Sequence, residues 1–279
     1  MSAMTVVAAG NRHSVACRAD GTVLACGNTA ADECGVRDWT GVVSVAAGNV
    51  HTARNTGRSH TVGLRSDGTV LATGWNRNDQ LGVSGWQGIV AVAAGWRTTL
   101  GLRSDMTVVA TGRRAEGQLD VDDWRDVIAI SCGDWHSAAV RGDGTVVATG
   151  NNTRGQCHVL GWRNLADVAA GYLHTVGLRR DGTVVATGDR RAGACDVESW
   201  TEVSAVAAGS GHTVGLLADG TVIAAGDNSF GQCATDDWAG ITAIAAGAAH
   251  TIGLCADGTV VATGYHDQRC DVGAWNLHT

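Results

Sequence analysis

The sequence of 279 residues contains no proline and no lysine, and its charged residues leave a net charge of -7 at pH 7. Every basic side chain other than histidine is therefore arginine, whose planar guanidinium pairs with carboxylates and phosphates in a bidentate manner. The negative net charge argues against nucleic acid as a partner, because binding to a phosphate backbone needs a basic surface.

Long hydrophobic runs are also missing from the sequence. No stretch of about 18 consecutive apolar residues is present to cross a membrane. The first residues, MSAMTVVAAG, lack the basic and apolar regions of a signal peptide. We therefore expect a cytoplasmic protein that does not associate with a membrane.

Sequence motifs for metals, cofactors and catalysis are lacking as well. No CxxC or Cys/His metal spacing, glycine-rich phosphate loop, HExxH motif or nucleophile elbow occurs. The nine cysteines are odd in number, and five occupy one equivalent position of a repeat: Cys34, Cys157, Cys195, Cys233 and Cys270. We predict no metal and no cofactor, and we interpret these cysteines as buried, unpaired thiols in a reducing compartment.

The most informative feature of the sequence is an internal repeat. The glycine that closes each AAG-like triplet recurs at Gly10, Gly48, Gly95, Gly133, Gly171, Gly209 and Gly247. A tryptophan keeps the same period at Trp39, Trp86, Trp124, Trp162, Trp200, Trp238 and Trp275. The step between glycines is 38 residues except for one of 47, which we attribute to an insertion at about residues 50–58. The chain therefore contains seven units, which we expect to form one domain over residues 1–279.

Each unit has the pattern of a small antiparallel β-sheet. An apolar run such as VSAVAAG suits a crowded inner strand, HTVGLRR and TVVATG read as two further strands joined at Asp-Gly, and a fourth short strand is predicted around the C-D-V segment. Four strands in about 40 residues are typical of a propeller blade. We therefore predict an all-β, seven-bladed β-propeller with four-stranded antiparallel blades. The last unit lacks an inner strand after its tryptophan, so the N-terminal strand, Met4–Gly10, is predicted to complete the last blade.

The pattern AAGxxHTVGLxxDGTVxATGxNxxGQC resembles the repeat of the regulator of chromosome condensation family, and the resemblance spans the whole chain. The resemblance implies a seven-bladed propeller that recognises its partners with a rigid disc. A TG pair stands where the family usually has WG, which is typical of a divergent member, here of bacterial type. The chain is also distantly similar to a secreted propeller that inhibits β-lactamases, with Trp96, Trp135, Tyr172 and Phe230 at matching loop positions.

Six units carry a histidine before the second strand: His13, His60, His136, His174, His212 and His250. The third unit has Thr98 at this position. We interpret the histidines as structural residues that bond to main-chain groups, and the repeated tryptophans as packing between blades. One Asp-Gly turn has Met106 in place of glycine, where we expect backbone strain.

The loop before the second strand and the loop after the third strand vary from unit to unit. Strand alternation places both loops at one end of the blade, which we call the loop face, and the Asp-Gly turns at the other. Aromatic and arginine side chains, which are enriched at binding hot spots, concentrate on the loop face of units two to five. The candidate binding residues are Arg54, Arg58, Trp75, Arg77, Trp96, Arg97, Arg114, Trp135, Arg154, Tyr172, Arg191 and Phe230. We predict a monomeric scaffold that binds an acidic protein or peptide, or a small anionic ligand, through these residues.

An enzyme acting on a small metabolite is the alternative hypothesis. His51 or His60 could serve as a base and Arg54, Arg58 or Arg97 could hold a carboxylate, in a pocket at the channel mouth under the 50–58 insertion. Such a site would suit an isomerase or a cyclase. Light sensing is a more distant hypothesis, because packing between blades explains seven of the ten tryptophans.

Overall fold

The computed structural model describes residues 5–48 and 58–278, which form seven antiparallel sheets of three strands each. We number the sheets 1 to 7 in chain order. The strands are β1 Val7–Ala9, β2 His13–Cys17, β3 Val23–Gly27, β4 Val42–Ala47, β5 His60–Arg65, β6 Val70–Gly74, β7 Ile89–Ala94, β8 Thr98–Arg103, β9 Val108–Gly112, β10 Val127–Cys132, β11 His136–Arg141, β12 Val146–Gly150, β13 Leu165–Ala170, β14 His174–Arg179, β15 Val184–Gly188, β16 Val203–Ala208, β17 His212–Leu217, β18 Val222–Gly226, β19 Ile241–Ala246, β20 His250–Cys255 and β21 Val260–Gly264. A short 3-10 helix, Gln268–Cys270, follows the last strand. The predicted all-β class and the seven units are confirmed.

The predicted fourth strand of each blade is wrong for the described residues. In the first unit the C-D-V-like segment turns on itself, because the Val36 amide donates to the Cys34 carbonyl and the Trp39 amide donates to the Val36 carbonyl. The segment therefore presents no free row of main-chain groups to a neighbouring strand. Its apolar side chains pack in the core instead, since Val36 and Trp39 are buried.

The expectation for the N-terminal strand is also wrong. Strand β1 pairs with β2 in register Val7↔Ala16, so that it belongs to the first sheet and not to the last. The inner strands nevertheless form a ring, because β1 contacts β4 on one side and β19 on the other, and each further inner strand contacts the next. Trp275, at the end of the last unit, lies in one apolar cluster with Val7 and Ala16. The first and last units thus close the ring by apolar packing and by hydrogen bonds such as that from the Ala248 amide to the Gly10 carbonyl, in a propeller-like arrangement.

The repeated tryptophans pack between consecutive sheets, as predicted from their period. Trp39 lies against Gly63 in the middle strand of sheet 2, where a Cβ atom would come 2.7 Å from the ring. Gly101 meets Trp86 in the same way. The indole therefore occupies the space that a side chain in the next sheet would need.

The repeated histidines join neighbouring sheets. His13 Nε2 lies 2.9 Å from Thr61 Oγ1, and this hydroxyl donates to the Glu33 carbonyl at 2.6 Å. Because the hydroxyl hydrogen is used in this way, the imidazole must be the donor at Nε2. The same side-chain pairing recurs in His60–Thr99, His136–Thr175, His174–Thr213, His212–Thr251 and His250–Ser14. The histidines are structural as predicted, but their partners are side-chain hydroxyls of the next sheet and not the main chain.

The nine cysteines are unpaired. The thiols at the repeated position donate to a main-chain carbonyl a few residues earlier, as Cys34 does to Asn28 and Cys195 to Asp189. Cys195 is buried and the other four are partly buried. Burial raises the pKa of Cys34 to about 12 and that of Cys195 to about 11, so both are protonated at neutral pH.

The inner strands surround a central channel of about 420 Å³. Alanine and valine make up most of its lining, and Asp167 is the ionisable carboxyl among the described lining residues. In the part of the chain that the structure describes, no helix has the length and apolar character needed to cross a bilayer.

Candidate functional site

The strand register places both variable loops of a unit at the same end of its sheet. His13, the first residue of β2, pairs with Gly27, the last residue of β3. The turn between these strands, closed by the bond from the Gly21 amide to the Arg18 carbonyl, lies at the other end. The loop face is therefore built from the segments expected, with the Asp-Gly turns opposite.

Four side chains of sheets 2 to 4 form a continuous row on the loop face, which we call the aromatic row: Trp75, Arg97, Trp96 and Trp135. The Arg97 guanidinium carbon lies 4.6 Å from the centre of the Trp75 ring and 3.8 Å from that of Trp96. The rings of Trp96 and Trp135 meet edge to face, with centroids 4.4 Å apart. Stacking of this kind fixes the planes of the rings and of the guanidinium.

Arg113, which lies beside the aromatic row, is paired with a carboxylate. Arg113 lies 5.6 Å from the centre of the Trp135 ring. Its Nε donates to Glu116 Oε2 at 2.9 Å and its Nη2 donates to Oε1 at 2.6 Å. The hydrogen bond to Glu116 raises the pKa of Arg113, and the same bond lowers the pKa of Glu116. Arg113 is thus a stacked guanidinium whose hydrogen-bonding edge is filled.

The row continues towards sheet 5 through Tyr172. Burial and the negative charge of Asp134 raise the pKa of Tyr172. A hydrogen bond with the Trp135 side chain acts in the opposite direction but does not cancel the shift. Arg191 donates from Nε to both oxygens of Asp189, at 2.9 and 3.0 Å, and Arg154 lies 3.9 Å from the same carboxylate. These contacts hold the pKa of Asp189 at about 2.

The structure brings together most of the candidate binding residues, but not all. Phe230 is half-exposed and pairs with Tyr265, with ring centroids 5.0 Å apart, beside Arg269 of the last unit. It therefore belongs to a separate aromatic pair. Arg58, Arg77 and Arg114 are exposed on the loop face. His51, Arg54 and the rest of 49–57 lie outside the described residues.

Both Arg113 and Arg114 lie on the predicted loop face, but only Arg114 is among the candidate binding residues. Two consecutive arginines are equivalent in the sequence, and only the path of the chain after β9 decides which of them turns towards the tryptophans. The spacing to Glu116, three residues after Arg113, is the signal that could have identified it.

Of the two bases proposed in the enzyme hypothesis, His60 is inaccessible and His51 lies outside the described residues. His60 is fully buried, its Nε2 is bonded to Thr99, and burial lowers its pKa to about 3. It cannot meet a substrate on the loop face without opening the contact between sheets 2 and 3. Among residues 5–48 and 58–278, no group of three or more His, Cys, Asp or Glu side chains could hold a metal ion.

A comparison with protein-family models matches this chain to the Regulator of chromosome condensation (RCC1) repeat at residues 5–32, 55–80, 127–156, 166–193, 203–232 and 241–269. These matches cover more than half of the chain. They leave out residues 81–126, where Trp96 and Arg97 lie. A comparison with curated protein sequences finds no match.

Several solved structures are similar to this chain. The CRINKLY WD40 ectodomain of the receptor kinase ACR4 from Arabidopsis thaliana is 18% identical with a TM-score of 0.73, over 96% of this chain and 99% of that one. Prp20p from Saccharomyces cerevisiae, described with its binding properties to Gsp1p and histones, is 20% identical with a TM-score of 0.65, over 86% and 80%. Yeast RCC1 (Prp20) bound to Kap60 is 18% identical with a TM-score of 0.66, over 85% and 73%. At these identities the likeness shows the fold.

Proposed function

Because the chain belongs to the regulator of chromosome condensation (RCC1) repeat family, we propose that it is a rigid propeller scaffold that binds a partner protein through the loop face of sheets 2 to 5. A protein of similar fold binds proteins: yeast Prp20p (RCC1) is described with its binding properties to Gsp1p and histones, and in a second structure it is bound to Kap60. The observation that carries the proposal for this chain is the aromatic row formed by Trp75, Arg97, Trp96 and Trp135.

The aromatic row has the physical character of a binding hot spot. Tryptophan and arginine supply large contact areas, and their loss is costly where they form the centre of an interface. Here the rings are already ordered by stacking, with Trp96 buried and Trp75 and Trp135 partly exposed. A partner would therefore pay little conformational entropy to order them.

Charge on the loop face favours an acidic partner or a small anionic ligand. On sheets 2 to 5, the described residues of the loop before the second strand and the first six residues after the third strand include more arginines than carboxylates. They are Arg58, Arg77, Arg97, Arg113, Arg114, Arg154, Arg190 and Arg191 against Asp79, Glu116, Asp134 and Asp189. On sheets 6, 7 and 1 the balance reverses, with Arg12 and Arg269 against Asp32, Glu33, Asp227 and Asp267. The basic half coincides with the aromatic row, and complementary charge would steer an acidic surface to it.

Substitution of the aromatic row tests this function. Immobilised wild-type protein is used to capture partners from extract of the source organism, and the captured protein is purified and titrated by calorimetry. Trp135→Ala should weaken its binding at least thirtyfold, since a hot-spot side chain contributes about 2 kcal/mol or more. Thermal melting should change little, because Trp135 lies at a loop and is partly exposed.

The matched controls are Arg65→Ala and Arg179→Ala, which lie at the ends of β5 and β14 beside the opposite turns. Both variants should bind the partner as the wild type does. Loss of binding in these controls, with full binding retained by Trp135→Ala, would show that the functional face is the other one.

A further inference from the structure

The guanidinium of Arg97 is stacked but pairs with no carboxylate among residues 5–48 and 58–278. It lies over the rings of Trp75 and Trp96. Among the described residues it forms no ion pair, and its Nε is shielded from solvent without a hydrogen-bond acceptor. A shielded donor without an acceptor is uncommon in folded proteins, and it is costly for a charged group.

The electrostatic surroundings add to this cost. Burial lowers the pKa of Arg97, and the nearby positive charge of Arg113 lowers it further. The carboxylate of Glu116 opposes this shift, but its two oxygens are already engaged by Arg113. An additional anion at Arg97 would therefore relieve a cation that is partly desolvated and repelled by its neighbour.

The neighbouring Arg113 forms the pairing with a carboxylate that Arg97 lacks. Arg113 also stacks on a tryptophan of the row, and its Nε and Nη2 donate to the two oxygens of Glu116. A carboxylate is planar like the guanidinium, so the two groups can pair edge to edge while the rings cover the guanidinium face. Arg97 presents a similarly stacked guanidinium without a carboxylate. Because its Nε is shielded from solvent, the edge open to a partner is the one formed by its two Nη atoms.

We propose that Arg97 is the receptor for an aspartate or glutamate side chain in an acidic peptide segment of the partner. This assignment rests on the proposed function and adds the chemistry of the contact. The carboxylate pairs with the outer edge of the guanidinium. Residues next to it in the peptide pack on the exposed parts of Trp75 and Trp135, and the exposed Arg77 and Arg114 favour further acidic residues nearby.

The test uses the full chain and three capped peptides: acetyl-Leu-Glu-Leu-amide, its glutamine analogue and its phosphoserine analogue. Each peptide is titrated while arginine Nε–H and tryptophan indole N–H resonances are followed by NMR. The glutamate peptide should shift the Arg97 and Trp75 signals to saturation. The glutamine peptide should bind at least tenfold more weakly, because it carries no charge.

Two variants locate the contact. Arg97→Lys keeps the charge but removes the planar fork, so it should weaken binding of the glutamate peptide at least tenfold. Arg103→Lys, the same exchange at the opposite end of strand β8, should bind it as the wild type does. Equal affinity of the glutamate and glutamine peptides, tighter binding of the phosphoserine peptide, or undiminished binding by Arg97→Lys would each overturn the assignment.

The experiment separates this inference from the proposed function. If the captured partner needs Trp135 but binds Arg97→Lys as tightly as the wild type, the scaffold function stands and the carboxylate receptor is wrong. If the partner ignores both substitutions, the loop face of sheets 2 to 5 is not its binding surface and both proposals fail.

Discussion

At the scale of single residues, Asp167 is an exception within a regular lining. At its position in the inner strand, four other sheets have alanine: Ala91, Ala129, Ala205 and Ala243. One carboxylate oxygen of Asp167 accepts from the Val168 amide at 2.9 Å. Burial nevertheless raises the pKa of Asp167 to about 6, because that single bond does not replace the water lost in the channel.

Replacement of Asp167 by alanine should therefore stabilise the protein in a pH-dependent way. A carboxyl with a raised folded-state pKa stabilises the fold below its unfolded pKa, and this stability is lost as the pH rises through about 6. Asp167→Ala should gain about 1 kcal/mol more, relative to wild type, at pH 8 than at pH 5. Urea unfolding of both proteins at both pH values measures this gain. An equal gain at the two pH values would show that the carboxyl is not held in its neutral form.

At the scale of structural elements, one contact between sheets differs from the others. Sheet 3 has Thr98 at the position where the other six sheets have histidine. Among the described residues, the Thr98 hydroxyl forms no hydrogen bond with the Ser137 side chain of sheet 4. The space is filled by Cys132, whose sulfur would lie 2.7 Å from a Cβ on Gly95. In the other six inner strands this residue is alanine: Ala9, Ala47, Ala94, Ala170, Ala208 and Ala246. Threonine and cysteine thus replace histidine and alanine as a pair.

The pair should show strong coupling in a double-mutant cycle. Thr98→His alone should destabilise the protein, because the imidazole and the Cys132 sulfur compete for the same space. With Cys132→Ala also present, the histidine can donate to Ser137, whose hydroxyl already donates to the Gln118 carbonyl as in the other sheets. We expect a coupling free energy of about 1 kcal/mol or more, measured by urea unfolding of the four proteins. Additive effects would contradict the shared space.

Element by element, the sequence allowed the strands to be predicted but not all of their partners. Alternating apolar residues and Asp-Gly turns identified the three strands of each unit. The C-D-V segment before each tryptophan was predicted to be a fourth short strand. Its turns arise from local main-chain bonds, such as Val36 to Cys34, that leave no pattern of side chains. Met106 adopts a φ of 62°, so the turn survives the loss of its glycine.

At the scale of the whole molecule, Arg269 joins the last unit to the first. Its Nε and Nη2 donate to the two oxygens of Asp267 at 2.7 and 2.8 Å, and its Nη1 donates to the Asn11 carbonyl at 2.9 Å. The Arg269 carbonyl in turn accepts from Ser14 at 2.7 Å. The arginine side chain is only 7% exposed, so it lies inside the contact that closes the ring.

Arg269→Gln should open this contact. The substitution removes the hydrogen bond to the Asn11 carbonyl and leaves Asp267 without its cation. We expect the free energy of unfolding to fall by about 2 kcal/mol. This is less than for a fully buried ion pair, because the Asp267 side chain is 37% exposed. The matched control is Arg191→Gln, which breaks the same Asp-x-Arg pair in sheet 5, where the arginine is 70% exposed. The control should change stability by less than about 1 kcal/mol. Similar thermal and urea unfolding of both variants would indicate that the ring is closed by other contacts.

The loop face could be predicted from the sequence as a region but not as a set of contacts. Strand alternation placed Trp75, Trp96 and Trp135 at one end of neighbouring sheets. In the structure Arg97 links Trp75 to Trp96, and Trp135 contacts Trp96 directly. Phe230 satisfied the same sequence criteria. It contacts Tyr265 instead, because ring position decides which loops are neighbours.

The small side chains around the channel suit a ring of seven inner strands. At one position of the inner strands no residue is larger than serine: Ala8, Ala46, Ala93, Ser131, Ala169, Ala207 and Ala245. Such strands can approach the axis closely, so that seven of them complete the circumference. Bulkier residues here would push every strand outwards and leave room for an eighth. We therefore expect a gene duplication that adds one unit to give a closed ring only if larger residues also replace the small ones at this position in every inner strand.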